Sequence, residues 1–307
     1  MKWNLELHRV LRPEFVHAPL QFLRAVGQKI GGDPVCSVIC RLPWGEHLEA
    51  DPREFIGLQV YRYGVTALEA CETAFRLVGD GDTAVDAGAN IGVVTSAMAI
   101  RVGTLGKVIA IEMMPQTYEI LIANVARWGA AGSSVTAINC AVSDDDGEID
   151  IGLSEDFARN KGVAYASRET IPSNHRKERA TCRKLDSILD GFETIQLLKL
   201  DLERHEFNAL KGARRLIGEQ RIHFIVFEDA NAAHTPAKEF LAGSGYTLYR
   251  IEARLRGPKL VGPLTANCDG LSPTSDYVDF VATTQPEKLI GAFAAPGYCC
   301  LGSCSVP

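Results

Sequence analysis

No run of ~18 to 20 apolar residues occurs in the 307-residue sequence, so no segment reads as a membrane-spanning helix. The first fifteen residues, MKWNLELHRVLRPEF, alternate apolar with charged positions and lack the apolar stretch of a secretory leader. They are expected not to be one. A basic excess is missing too. Lys and Arg total 32 against 38 Asp and Glu, a net charge of −6, which speaks against the positive surface that a nucleic-acid partner requires. The cysteines form no paired framework. Nine of them, an odd number, are scattered at Cys36, Cys40, Cys71, Cys140, Cys182, Cys268, Cys299, Cys300 and Cys304. A disulfide scaffold is therefore not expected, and a reducing, cytoplasmic setting is.

What is present suits a globular enzyme. Hydrophobic residues make up 46% and charged residues 23%, enough for a sizeable core. From Thr83 onward, strand-like and helix-like segments alternate. Thr83–Ala87 is a short apolar run ending in an acid and a tight loop, and a helix follows from Ile91 to Val102. Lys107–Glu112 is a second strand, followed by a helix with Pro115 in its first turn, to about Trp128. Val135–Cys140 is a third strand, Leu197–Asp201 ends a fourth, His205–Ile217 is a helix, and Ile222–Glu228 is a fifth strand. Tyr246–Ile251 and Tyr277–Thr283 read as a closing antiparallel pair at the sheet edge. The alternation predicts a doubly wound, Rossmann-like α/β sheet with helices on both faces. Earlier in the chain, Val35–Leu42 and Ile56–Tyr61 have strand character, and Thr66–Val78 has helical spacing, with Leu68, Cys71, Phe75 and Val78 on one face. Asp156–Ala180 is polar and weakly patterned, which reads as a loop over the site.

The first strand runs into Asp86-Ala-Gly88-Ala-Asn90-Ile-Gly92. Glycines let such a loop turn sharply and approach a ligand, and the helix behind it aims its N-terminal end at the same place. In open α/β sheets this crevice is the ligand site. A dinucleotide fingerprint would carry a glycine where Asn90 stands, and no P-loop lysine is present. The pattern suits a ligand without phosphate. S-adenosylmethionine offers an amine for Asp86, a carboxylate for the loop amides, and ribose hydroxyls for Glu112 at the end of the second strand. Cys140 and Ala141, at the third strand's tip, are expected to face the adenine, with Cys140 acting as a small buried residue.

The stretches GDTAVDAGANIGVVTSAMA, GKVIAIEMMPQTYEILIANV, NCAVSDDDGEI, RKLDSIL and LLKLDLERHEFNALKGARRLI, followed by IVFE, together resemble the FkbM-type methyltransferase family. The resemblance covers roughly Tyr61 to Val281. It implies a class I S-adenosylmethionine-dependent fold and, typically, O-methylation of sugar or polyketide hydroxyls. One departure stands out. Where the family commonly reads Lys-x-Asp-x-Glu-Gly-x-Glu, this chain reads Lys199-Leu-Asp201-Leu-Glu203-Arg204-His205-Glu206.

A hydroxyl acceptor needs a base within hydrogen-bond reach. Candidates at the tips of strands four and five are Asp201, Glu203, His205, Glu206, Glu228 and Asp229, with Asp201, His205 and Glu228 foremost. Each has a plainer structural alternative: a helix cap for Asp201, a cap or a solvent-facing side chain for His205, an acceptor of a loop amide for Glu228. No metal site is expected, and the Cys-rich tail Gly297–Cys304 is expected to be disordered. The predicted layout is an N-terminal extension over 1–68 that contributes to acceptor binding, a methyltransferase domain over 69–284 and a tail over 285–307. The partner is a small-molecule or glycan acceptor, and a homo-oligomer is compatible with the sequence. Two other readings stay open: an NAD-dependent oxidoreductase on a similar fold, and a catalytically silent methyltransferase-like binding module.

Overall fold

The computed structural model describes residues 12–17, 36–153, 165–167, 175–230, 234–264 and 277–304. A short helix α1 (Pro13–His17) precedes a hairpin of β1 (Val38–Arg41) and β2 (His47–Ala50), paired antiparallel with Val38 opposite Ala50. Helices α2 (Phe55–Tyr63) and α3 (Leu68–Leu77) follow. The alternation then begins: β3 (Thr83–Ala87), α4 (Val93–Val102), β4 (Lys107–Glu112), α5 (Pro115–Arg127), the short α6 (Gly129–Gly132) and β5 (Val135–Asn139). Strands β6 (Ala141–Val142), β7 (Gly147–Leu153), β8 (Tyr165–Ser167) and β9 (Arg176–Arg183) build a separate four-stranded sheet in the order β6-β9-β7-β8. The chain returns through α7 (Leu185–Ile188), β10 (Ile195–Leu200), α8 (Glu206–Gly212), α9 (Arg214–Gly218) and β11 (Ile222–Ala230). It closes with α10 (Pro236–Gly243), β12 (Thr247–Glu252), β13 (Lys259–Val261), β14 (Tyr277–Thr283) and α11 (Pro286–Phe293).

The main sheet has eight strands in the order β13-β12-β14-β11-β10-β3-β4-β5. Strands β11, β10, β3, β4 and β5 run parallel, and β14, inserted between β11 and β12, runs antiparallel to both. Alternate residues feed opposite faces. Ala84, Leu197, Phe224 and Val226 pack with α3 and α4 on one side, whereas Val85, Leu198, Ile225 and Phe227 pack with α8 and α9 on the other. Burial on both faces explains why these strands read as continuous apolar runs. The first of these clusters also takes in Leu42 and Leu48 of the hairpin and Tyr298 and Leu301 near the C-terminus.

Several sequence expectations are corrected. The segment Ile56–Tyr61, expected as a strand, belongs to helix α2; Gly57 and Val60 are its buried positions, a three-residue spacing that a short apolar run hides. The pairing of the last two long strands stands, but β14 lies inside the sheet and β13 takes the edge. The helix expected over His205–Ile217 breaks at Ala213 into α8 and α9. The polar stretch Asp156–Ala180 ends in β9, which pairs with β7 from Gly147–Cys182 to Leu153–Arg176. Its polarity is that of a largely exposed strand, and residues 154–164 and 168–174 lie outside the described residues. The tail Gly297–Cys304 is ordered, with Tyr298, Cys299, Cys300 and Leu301 buried and a disulfide joining Cys299 to Cys304. Odd cysteine number and scatter argue against a scaffold of bridges and say nothing about one local bridge.

Candidate active site

The loop after β3 is shaped by its neighbours. Gly88 has φ +78, and a Cβ there would stand 1.9 Å from the backbone oxygen of Asp201. Only glycine allows the loop to lie this close to the tip of β10. Asn90 also adopts the left-handed region, at φ +49, and its Oδ1 accepts the Ile91 N–H at 2.8 Å. Gly92 caps α4 with φ +100, and a Cβ there would press on Leu121 and Trp128 at 2.9 Å. The loop amides hold the loop itself. Gly88 and Ala89 both donate to Ile111 O at 2.9 Å, Asn90 to Glu112 Oε2 at 3.0 Å, and Gly92 to Ala89 O at 2.9 Å. The amides expected to receive a ligand carboxylate are therefore engaged within the protein.

Asp86 is fully buried beneath this loop. Its Oδ2 accepts from Thr95 Oγ1 at 2.6 Å, and its Oδ1 lies 3.1 Å from Lys199 Nζ. The same ammonium donates to Gly88 O at 2.7 Å and stands 3.5 Å from Asp201 Oδ2. Burial works to lower the pKa of Lys199, but the Asp86 and Asp201 carboxylates outweigh it and leave the pKa raised, so the amine stays protonated. Lys199 thus ties the glycine loop after β3 to the tip of β10. It was visible within the Lys-Leu-Asp-Leu-Glu motif, but a lysine in a strand signals nothing by itself.

Glu112 is buried and receives two backbone amides, from Asn90 and from Met114 at 2.8 Å. Burial nevertheless raises its pKa to about 7, the two amides and Lys199 pulling the other way. Cys140 and Ala141 lie on the same wall, and burial pushes the Cys140 thiol up to about 11, which removes it as a thiolate nucleophile.

These groups line one cleft of about 260 Å³. Its lining includes Gly88, Asn90, Glu112, Cys140 and Ala141 together with Lys199, Asp201, Glu203, His205, Glu228 and Asp279, while Asp86 lies outside it. The pKa of Glu203 is raised to about 7 by burial first and then by Asp201, Glu228 and Glu206. Glu228 is raised as well, by burial and Asp201, with Lys199 and Arg204 opposing. Glu206 accepts the Leu202 N–H at 2.7 Å at the start of α8, and burial raises it to about 7. His205 is buried, its Nε2 3.0 Å from Ser143 Oγ and its Nδ1 3.2 Å from Asn208 Nδ2. It links α8 to the segment after β6. Arg204 is exposed, with φ +74 next to Glu203 at φ +51. Asp229 is set in local structure, accepting from Thr235 Oγ1 and lying 3.4 Å from Lys238 Nζ.

Sequence reasoning missed Asp279, which β14 places opposite Glu228 in register. Burial, then Glu69, Asp201 and Glu228, raise its pKa. A lone acid in the apolar strand YVDFVAT was its signal. Ile56 of α2, with Thr66 and Ala67 of the connection to α3, also reaches the cleft. A second hollow adjoins the first through Glu228 and Asp279 and is further lined by Glu69, Arg250, Ile251, Glu252 and Val278. Among the described residues one trio gathers potential metal-ligand atoms within 4.8 Å, Glu72 with Cys299 and Cys304, and its two sulfurs are joined to each other. No helix among the described residues is long and apolar enough to cross a membrane.

A mostly parallel sheet with its glycine loop, strand-end acid and polar cleft at the carboxyl ends of the strands defines a doubly wound α/β protein, with the cleft where such folds take ligands. Residues 86–248, more than half of the chain, match the methyltransferase FkbM domain, and the chain belongs to that family. No curated protein matches the sequence. Similar solved structures include a methyltransferase FkbM from Methylobacillus flagellatus KT, 17% identical over 73% of this chain and 46% of that one, TM-score 0.41. The chain thus spans about half the length of that protein. Fibrillarin from Aeropyrum pernix with bound S-adenosyl-L-methionine is 12% identical over 82% of this chain and 85% of that one, TM-score 0.39. A SAM-dependent O-methyltransferase from Thermotoga maritima is 12% identical over 82% and 94%, TM-score 0.35.

Proposed function

We propose that this chain transfers a methyl group from S-adenosylmethionine to a hydroxyl of a sugar, glycan or other small molecule. The observation that carries the reading is that the Gly88–Asn90 loop and Glu112 line the same cleft as the carboxylates of Asp201, Glu203 and Glu228. Glu112 fits the ribose end of the cofactor. Each oxygen of Glu112 accepts one amide and keeps a further lone pair for a ribose hydroxyl. With the Gly88, Ala89, Asn90 and Gly92 amides engaged, the loop has no row of free donors for a pyrophosphate, which disfavours NAD.

The cofactor supplies an activated methyl on a sulfonium. The chain's task is to hold an acceptor oxygen in line with it and to take up the hydroxyl proton. Glu228 is the base in this reading. Its carboxylate has an increased proton affinity through burial, and it faces the cleft from β11. Asp201, beside Lys199, orients the acceptor hydroxyl, while His205, tied to Ser143, fixes the start of α8. The extension 1–68, through Ile56, Thr66 and Ala67, contributes to the acceptor wall.

The test is methyl transfer from labelled S-adenosylmethionine across a panel of hydroxylated sugars and polyols, with Glu228→Gln alongside. Turnover is expected on at least one acceptor. Glu228→Gln is expected to lower it by ~10² to 10⁴-fold with cofactor affinity unchanged. Wild-type turnover at the same rate in Glu228→Gln removes Glu228 as the base.

A further inference from the structure

The C-terminal turn is tied to α3 and to the connection after β12, two segments whose neighbouring residues line the second hollow. On α3, Glu72 accepts the N–H groups of Cys299 and Cys300, both at 2.9 Å, and forms a fully buried ion pair with Arg76. Arg76 Nη2 in turn donates to Gly297 O at 2.8 Å. On the connection after β12, Gly297 donates to Arg256 O at 2.8 Å, and Tyr298 Oη both accepts from Arg254 N and donates to Arg254 O, each at 3.0 Å. These two attachment points lie close in sequence to residues that line the hollow. Glu69 lies one turn before Glu72 on α3, and Arg250 to Glu252 lie just before Arg254 on β12. The turn itself is closed by the Cys299–Cys304 disulfide.

We propose that residues 297–304 are a redox-sensitive clasp that holds the α3 and β12 walls of this hollow together, shut when Cys299 and Cys304 are joined and loosened when they are reduced. Cys304 is partly exposed and Cys299 buried, so an incoming thiolate reaches Cys304 first. In the complete exchange a dithiol gives up two electrons and two protons and becomes a disulfide. The Cys299–Cys304 bond breaks, and each sulfur leaves as a thiol. Attack at Cys304 forms a mixed disulfide with the dithiol and expels the Cys299 thiolate; the dithiol's second sulfur then closes on the first and releases the Cys304 thiolate, which Arg76 Nη2, 3.8 Å from Cys304 Sγ, is placed to stabilise. In a reducing compartment a bridge of this kind is typically a regulated one. Reduction removes the covalent closure of the turn and restores conformational freedom to residues whose hydrogen bonds clasp the two walls.

The experiment uses the full chain, without and with dithiothreitol, together with Cys304→Ser. Alkylation and mass spectrometry report the state of Cys299 and Cys304, and amide hydrogen exchange reports the walls. The clasp predicts a linked Cys299–Cys304 peptide before reduction. After reduction, and in Cys304→Ser, exchange should be at least about tenfold faster in 68–72 and 252–257 as well as in 297–304. Exchange in 83–92 should stay within about twofold. Three results overturn the proposal: free thiols at both positions before reduction, loosening of 297–304 alone, or equal acceleration everywhere, including 83–92, which marks a general loss of stability. Because none of these readouts involves methyl transfer, failure of the clasp and failure of the proposed activity are separately visible.

Discussion

Lys199 Nζ stands 3.1 Å from Asp86 Oδ1, a buried ion pair between adjacent parallel strands whose register sets the two residues side by side. The same ammonium reaches the Gly88 carbonyl and the Asp201 carboxylate, so one side chain joins the loop after β3 to the tip of β10.

Removing one partner leaves the other charge buried and unpaired. Lys199→Met is therefore expected to cost about 3–5 kcal/mol of stability, and Asp86→Asn in the Lys199→Met background to recover most of it. Denaturant unfolding of the single and double variants checks this. A loss below about 1 kcal/mol in Lys199→Met means that the pair is not the fastener described.

Glu112 gives a pH dependence with two opposite signs. Its pKa is raised to about 7 by burial, above the ordinary value of 4.5. In the free protein its contribution to stability is fully present below about 4.5 and is lost as pH rises through about 7. In the proposed reading ribose hydroxyls donate to the ionised form, so ligand affinity runs the other way. S-adenosylhomocysteine is expected to bind about tenfold more weakly at pH 6 than at pH 8. Glu112→Gln should flatten that profile. An unchanged profile in a folded Glu112→Gln protein assigns the pH dependence to another group.

Gly88→Ala tests the closeness of the loop to β10. The added carbon meets Asp201 O at 1.9 Å in a backbone conformation that L residues rarely adopt. The conformation alone is expected to cost ~1 kcal/mol or more, and relief of the collision must displace the Asp201 backbone. Thermal melting and S-adenosylhomocysteine affinity should both fall. A variant with wild-type melting shows that the loop has room to spare.

The parallel core was legible because its strands are continuous apolar runs broken by glycines and followed by periodic helices. Gly88, Asn90 and Glu112 could be marked from the strand-loop-helix passage alone. The roles of others were set by contacts far apart in sequence. Asp86 was read as facing a ligand, but its partner is Lys199 across the sheet. Asp279 enters the site only because β14 inserts beside β11, a topology that no local pattern encodes. The buried Glu72 and Arg76 on α3 interrupt an otherwise apolar helix face, and their meaning depends on the tail that returns to them. That tail, rich in Gly, Cys and Ser, reads locally as disorder.

The central claim is that this cleft takes S-adenosylmethionine, and calorimetric titration of the purified chain with S-adenosylhomocysteine and, separately, with NAD tests it most directly. The account predicts saturable one-to-one binding of S-adenosylhomocysteine, weakened by about 1–3 kcal/mol in Glu112→Ala, and no heat of binding with NAD. Saturable NAD binding with no response to S-adenosylhomocysteine would contradict it.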